Sequence, residues 1–135
     1  MNILIIDGQG GKIGRTLIEG IKKTAGDKAE ITAVGTNSIA TAGMIKAGAD
    51  HAATGENAVI VAARSADIIA GPIGIVLADA LVGEVTPAMA AAVAQSHAVR
   101  ILIPFQGCNT IVVGTKSMPL SELMQKAVSD ICAYL

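Results

Sequence analysis

The sequence predicts an α/β protein, a Rossmann-like three-layer α/β/α sandwich with a mostly parallel, doubly wound sheet. Three observations carry that reading. A β-favouring run, Ile3 to Ile6, leads directly into the glycine turn Gly8-Gln9-Gly10-Gly11-Lys12-Ile13-Gly14, and the turn leads into a helical repeat. Further apolar runs then alternate with helical patterns to the end of the chain, which is the signature of βα units in one sheet. Finally, 52% of the 135 residues are hydrophobic while the aromatics are only Phe105 and Tyr134. Small aliphatic residues must make the core, as in strands covered on both faces.

Ile3 to Ile6 is therefore expected to be a central strand, ended by Asp7. From Ile13 the apolar positions Leu17, Ile18 and Ile21 keep helical spacing, with Arg15, Glu19, Lys22 and Lys23 on the wet side and Gly26 as the stop. Ala29 to Gly35 reads as the second strand, reached by a right-handed crossover. A helix is predicted over Ser38 to Ala47, capped by Asn37 or Ser38 and closed by Gly48, with Ala40, Ala42 and Gly43 as a thin packing face. Asp50 to Thr54 suits a short edge strand. For Glu56 to Arg64 two readings stand: a helix capped by Thr54, or a strand through Val59-Ile60-Val61. Helix is the expectation, because a strand there would reach Ile68 to Ala70, the next core strand, through too short a link for a parallel crossover.

Beyond that strand lies a second glycine-dependent stretch, Gly71-Pro72-Ile73-Gly74. Short helices are predicted over Ile75 to Leu81 and over Pro87 to Gln95, the latter with Thr86 as cap and Pro87 in its first position. Val99 to Ile103 and Thr110 to Val113 read as strands. Leu120, Leu123, Met124, Ala127, Val128, Ile131 and Leu135 mark the clearest amphipathic helix. The length suits one domain over 1–135, without linker or repeat. So much apolar content in so short a chain implies that some is buried between subunits, so a homo-oligomer is expected.

Composition also excludes classes. The net charge is −1 and the ten basic residues are scattered, so neither nucleic acid nor an anionic membrane finds an electrostatic footprint. Ile68 to Ala78, the longest charge-free stretch of the apolar middle, is shorter than the ~20 residues of a membrane helix. The start of the chain reads as a buried strand and no signal peptide, so a cytoplasmic protein is expected. Cys108 and Cys132 lack metal-site spacing and read as reduced thiols.

The glycine turn follows a strand and opens a helix, the place where backbone N–H groups attract phosphate. Gly8, Gln9, Gly10, Gly11, Lys12, Ile13 and Gly14 are thus candidates for holding a phosphate-bearing ligand, with Asp7 either touching a ligand hydroxyl or accepting N–H bonds from the turn. The spacing Gly8-x-x-Gly11-x-x-Gly14 is similar to the turn of extended short-chain dehydrogenases and related NAD(P)-binding proteins. In such a protein an acid near the end of the second strand holds the ribose. Here that place reads Gly35-Thr36-Asn37-Ser38, so Thr36, Asn37 and Ser38 are expected to accept a 2′-phosphate, which tilts the cofactor from NAD toward NADP. Gly71 and Pro72 would border the reactive ring. The P-loop pattern is absent, because Lys12 is followed by Ile13 and Gly114-Thr115-Lys116 separates the needed Gly-Lys pair.

No catalytic set emerges. Glu56 and Asn57 sit at a loop-to-helix junction, Cys108 is a lone thiol, His51 and His97 lack partners at useful spacing, and the Tyr-x-x-x-Lys pair of short-chain dehydrogenases is missing. Ile6-Asp7-Gly8-Gln9-Gly10-Gly11, Gly35-Thr36-Asn37, Thr54-Gly55-Glu56-Asn57-Ala58 and Gly71-Pro72-Ile73-Gly74-Ile75 together resemble a bacterial family of small Rossmann-like proteins known as a domain of unknown function. That resemblance spans nearly the whole chain and implies the fold and a bacterial cytoplasm, with no activity to transfer. Three functions remain in play: a nucleotide-binding module with a sensor or regulatory role, a small NAD(P)-dependent oxidoreductase completed by a neighbouring subunit near Glu56, Asn57 or Cys108, and an oligomeric scaffold with a vestigial turn.

Overall fold

The computed structural model describes residues 1–105 and 109–135. Five strands, β1 (Asn2–Asp7), β2 (Glu30–Gly35), β3 (His51–Thr54), β4 (Ile68–Pro72) and β5 (Val99–Ile103), form one sheet in the order β3-β2-β1-β4-β5. Every pairing is parallel. The helices are α1 (Lys12–Ala25), α2 (Ser38–Lys46), α3 (Glu56–Ala63), α4 (Pro87–Gln95) and α5 (Leu120–Cys132).

The alternation of strand side chains sorts the core into two layers. Ile3, Ile5, Ile31, Ala33, Ile68 and Ala70 face one side and pack with Leu17 and Ile18 of α1, Met44 of α2 and Ile131 of α5. Leu4, Ile6, Val34 and Ile69 face the other and pack with Val59 of α3 and Met89 and Val93 of α4. The chain thus runs outward from β1 to β3 along one face, returns to β4 beside β1, and runs outward again along the opposite face. Strand order reverses between β1 and β4, where a doubly wound sheet opens its crevice.

Local chemistry sets the element ends. Gly26 stops α1 with a positive φ of 56°. Asn37 caps α2, its side-chain oxygen accepting the Ala40 N–H at 2.9 Å. Thr86 caps α4 in the same way, accepting the Met89 N–H at 3.2 Å, with Pro87 in the first helical position. Glu56–Ala63 is a helix, as the crossover argument requires, and His51–Thr54 is an exposed edge strand.

Thr54 does not cap α3, whose N-cap is Gly55 without a side-chain bond, and two expected elements are absent. Ile75 to Leu81 is no α-helix: a 3-10 turn covers Ile73–Val76, and the chain then folds back on itself. Asp79 donates to the Val85 carbonyl at 2.7 Å and Val85 donates to Ala80 at 3.1 Å, closing a compact loop in place of a helical ladder. Thr110 to Val113 is no strand either. β5 ends the sheet on that side, and the segment curls into turns in which Thr115 and Met118 donate to Val112 and Thr115. Ile111 and Val113 are left 84% and 94% exposed, so β propensity there is not matched by a pairing partner.

Candidate functional site

The carboxyl ends of β1 and β4 meet at the reversal, with Ile5 level with Ala70. Asp7 and Gly8 therefore follow one strand end and Gly71 and Pro72 lie at the end of its neighbour. Gly71 is required sterically, since a Cβ there would press into the Ile6 carbonyl oxygen. It is the close approach of two backbones that demands glycine, and Pro72 beside it is buried.

The glycine turn has its own local logic. Gly11 adopts φ 72° as the N-cap of α1, and a Cβ on it would lie 2.8 Å from the Ala40 Cα, so α2 packs directly on the turn. A Cβ on Gly14 would lie 2.5 Å from the Met44 sulfur, which makes it the contact between α1 and α2. Gly10 has open space around it. Asp7 is buried and serves as the cap that Gly11 cannot supply: its carboxylate accepts the Gly14 N–H at 2.7 Å and the Gly8 N–H at 2.8 Å. Burial pushes the Asp7 carboxyl above its ordinary range, against the opposing pull of the N–H donors of Gly14, Gly8 and Ile13. Of the turn's N–H groups, those of Gly10 and Lys12 meet no acceptor among the described residues. Lys12 and Arg15 are exposed and form no ion pair among those residues.

Sequence reasoning missed Glu84. Its carboxylate lies over the turn, accepting the Gln9 N–H at 3.0 and 3.1 Å, the Asn37 amide at 2.8 Å and the Thr36 hydroxyl at 3.3 Å. The Gln9 side chain in turn donates to the Leu81 carbonyl at 3.0 Å. Gly8 is glycine because Thr36, Leu81 and Glu84 occupy the volume of a side chain there. In this structure the Glu84 carboxylate uses the Thr36 and Asn37 donors at which a 2′-phosphate was expected. Ser38 stands apart, exposed at the first position of α2. The signal for Glu84 was topological, since in the order β3-β2-β1-β4-β5 the loop after β4 must border the loop after β1.

The Glu84 loop is held in a costly shape. Asp79, Leu81 and Val82 have φ of 66°, 56° and 57°, a conformation that costs a residue with a Cβ about 1–2 kcal/mol. Gly83, at φ 85°, takes the same region freely. Val82 at the tip is 95% exposed.

The other candidates are dispersed. Glu56 accepts from the Thr86 hydroxyl at 2.5 Å and so ties α3 to the cap of α4. His51 contacts Glu30 at 2.9 Å on the opposite edge of the sheet, and His97 is exposed. Cys108 lies outside the described residues. Among the described residues no three His, Cys, Asp or Glu side chains gather as a metal site requires, and no helix is long and apolar enough to cross a membrane. Two large grooves lie elsewhere. One, of about 700 Å³, runs between α1 and α5 and meets the turn only at Lys12 and Ile13; the other, of about 610 Å³, is lined by Phe105, Ile111 and Leu123.

Comparison with known proteins agrees with the fold. The chain is similar to a solved dodecameric FMN-dependent UbiX-like decarboxylase from Escherichia coli O157:H7, with 15% identity over 99% of this chain and 94% of that one and a TM-score of 0.52. At that identity the likeness establishes the architecture alone. Curated proteins include no sequence match. The family model described as Domain of unknown function (DUF3842) matches residues 2–135, and the chain belongs to that family.

Proposed function

We propose that this chain is a nucleotide-binding module whose ligand lies in the crevice between β1 and β4, with its phosphate toward the glycine turn. One observation carries the reading: the reversal of strand order sets Gly8 to Lys12 and Gly71-Pro72 at the ends of two neighbouring strands, where open α/β sheets bind ligands. The N–H groups of Gly10 and Lys12 and the Lys12 ammonium are the donors for a phosphate, and Gly10 leaves room for its approach. The FMN dependence of the structural neighbour favours a flavin-type mononucleotide as the first ligand to try. Thr36 and Asn37, read above as donors for a 2′-phosphate, are held by Glu84.

The role that fits is binding or sensing, since Asp7 and Glu84 are both engaged in holding the turn. Association of several copies would cover the exposed Ile111 and Val113, in keeping with the neighbour's dodecamer. Native mass spectrometry with FMN, ADP, NADH and NADPH tests both parts at once. A saturable adduct of one mononucleotide per chain on an oligomer is expected; an apo spectrum at millimolar ligand would refute the nucleotide reading, and a monomer would refute the assembly.

A further inference from the structure

Glu84 is a carboxylate that the fold brings to the turn without a cation to balance it among the described residues. It reaches the turn across 75 residues of sequence and brings a negative charge to backbone N–H and amide donors arranged for an anion. Its loop is anchored at that end by Glu84 and by the Gln9 side chain on Leu81, and three residues with side chains are held there in the left-handed region. Release of those contacts frees three residues to return to ordinary backbone conformations. Inward, Leu81 and Glu84 fill the space over Gly8; outward, Val82 faces solvent.

We infer that Leu77 to Val85 is an internal latch, in which the Glu84 carboxylate occupies the anion position of the glycine turn until the phosphate of a nucleotide displaces it and swings the loop out. The inference rests on the nucleotide reading above and adds how the site is gated. A phosphate outcompetes a carboxylate because it brings more charge and a third acceptor oxygen, reaching the N–H groups of Gly10 and Lys12 together with the Gln9 N–H that Glu84 now holds. Displacement also moves Val82, so occupancy of the crevice is transmitted to the outer surface, as a sensor requires.

The test is a fluorescence titration of FMN, with ADP and inorganic phosphate as competitors, on wild-type protein and on Glu84→Gln and Glu84→Ala. Both variants are expected to bind FMN at least tenfold more tightly than wild type, since the competing anion is gone while the donors remain. Hydrogen exchange on the wild-type protein gives a readout independent of the variants: FMN should accelerate exchange at Gly83, Glu84 and Val85 while slowing it at Gln9 to Lys12. Equal or weaker binding by folded variants, with wild type still binding, would overturn the latch and leave the nucleotide reading standing. Slower exchange at Gly83 to Val85 on binding would overturn it as well, by making the loop a clamp. Absence of FMN, ADP and phosphate binding in all three proteins would overturn both.

Discussion

The two edges of the sheet treat their charges in opposite ways. At the amino edge, where β2 and β3 begin, Asp50 pairs with Lys22 of α1 at 2.8 Å and accepts the Ile31 N–H at 2.8 Å, while His51 meets Glu30 at 2.9 Å. Asp67, just before β4, accepts the Asn2 N–H at 2.7 Å. At the carboxyl edge Asp7 and Glu84 are held by backbone N–H groups, an amide and a hydroxyl, without a cation among the described residues. The amino edge sets Asp50 against a cation, whereas the carboxyl edge holds both Asp7 and Glu84 on uncharged donors.

The largest effect should come from breaking the carboxyl edge sterically. Gly71→Ala drives a methyl group into the Ile6 carbonyl and should cost about 3–5 kcal/mol in urea denaturation, because backbone, and no flexible side-chain end, must move. A loss below about 1 kcal/mol would mean that β1 and β4 part easily and that the crevice is soft. Breaking the amino edge should cost less. Asp50→Ala leaves the Ile31 N–H without its acceptor and should lose about 1–2 kcal/mol, reduced from the buried-group value because Asp50 is partly exposed.

A smaller effect sharpens the contrast through pH. The Asp7 carboxyl is raised, chiefly by burial, so its contribution to stability is complete below the ordinary value of 3.8 and is lost as pH rises through its elevated folded value. The Asp50 carboxyl is lowered, first by the Ile31 N–H and then by Lys22, so its contribution is complete above 3.8 and is lost as pH falls through its depressed folded value. On acidification from pH 7 the Asp7 component should therefore add stability before the Asp50 component removes it. Urea midpoints from pH 3 to 7 should show Asp7→Asn without the initial gain and Asp50→Asn with a shallower acid loss. An initial gain that survived in Asp7→Asn would assign it to another group.

Most of the amino-terminal half was legible because its signals are local. The run Ile3 to Ile6, the periodicity of Leu17, Ile18 and Ile21, the Asn37 cap and the Gly11 turn all act within a few residues of one another. Thr86-Pro87 announced α4 for the same reason. Reading failed where pairing or long-range packing decides. Ile111 to Val113 has the composition of a strand, but β5 gains no neighbour on that side among the described residues. Ile75 to Leu81 lacks a helix because the chain spends those residues returning Glu84 to the turn, a contact visible only once the strand order is known. Gly8, Gly11 and Gly14 were read as a phosphate turn, and in the fold a Cβ at each would meet Glu84, α2 or Met44 of this same chain.

The most direct test of the nucleotide crevice is a backbone amide NMR titration of the labelled protein with FMN and ADP. The account predicts saturable shifts concentrated at Gly8 to Lys12, at Thr36 and Asn37, and at Gly83 to Val85. Shifts confined to the groove of Gly20, Met124 and Val128 between α1 and α5, or no shifts at millimolar ligand, would contradict it.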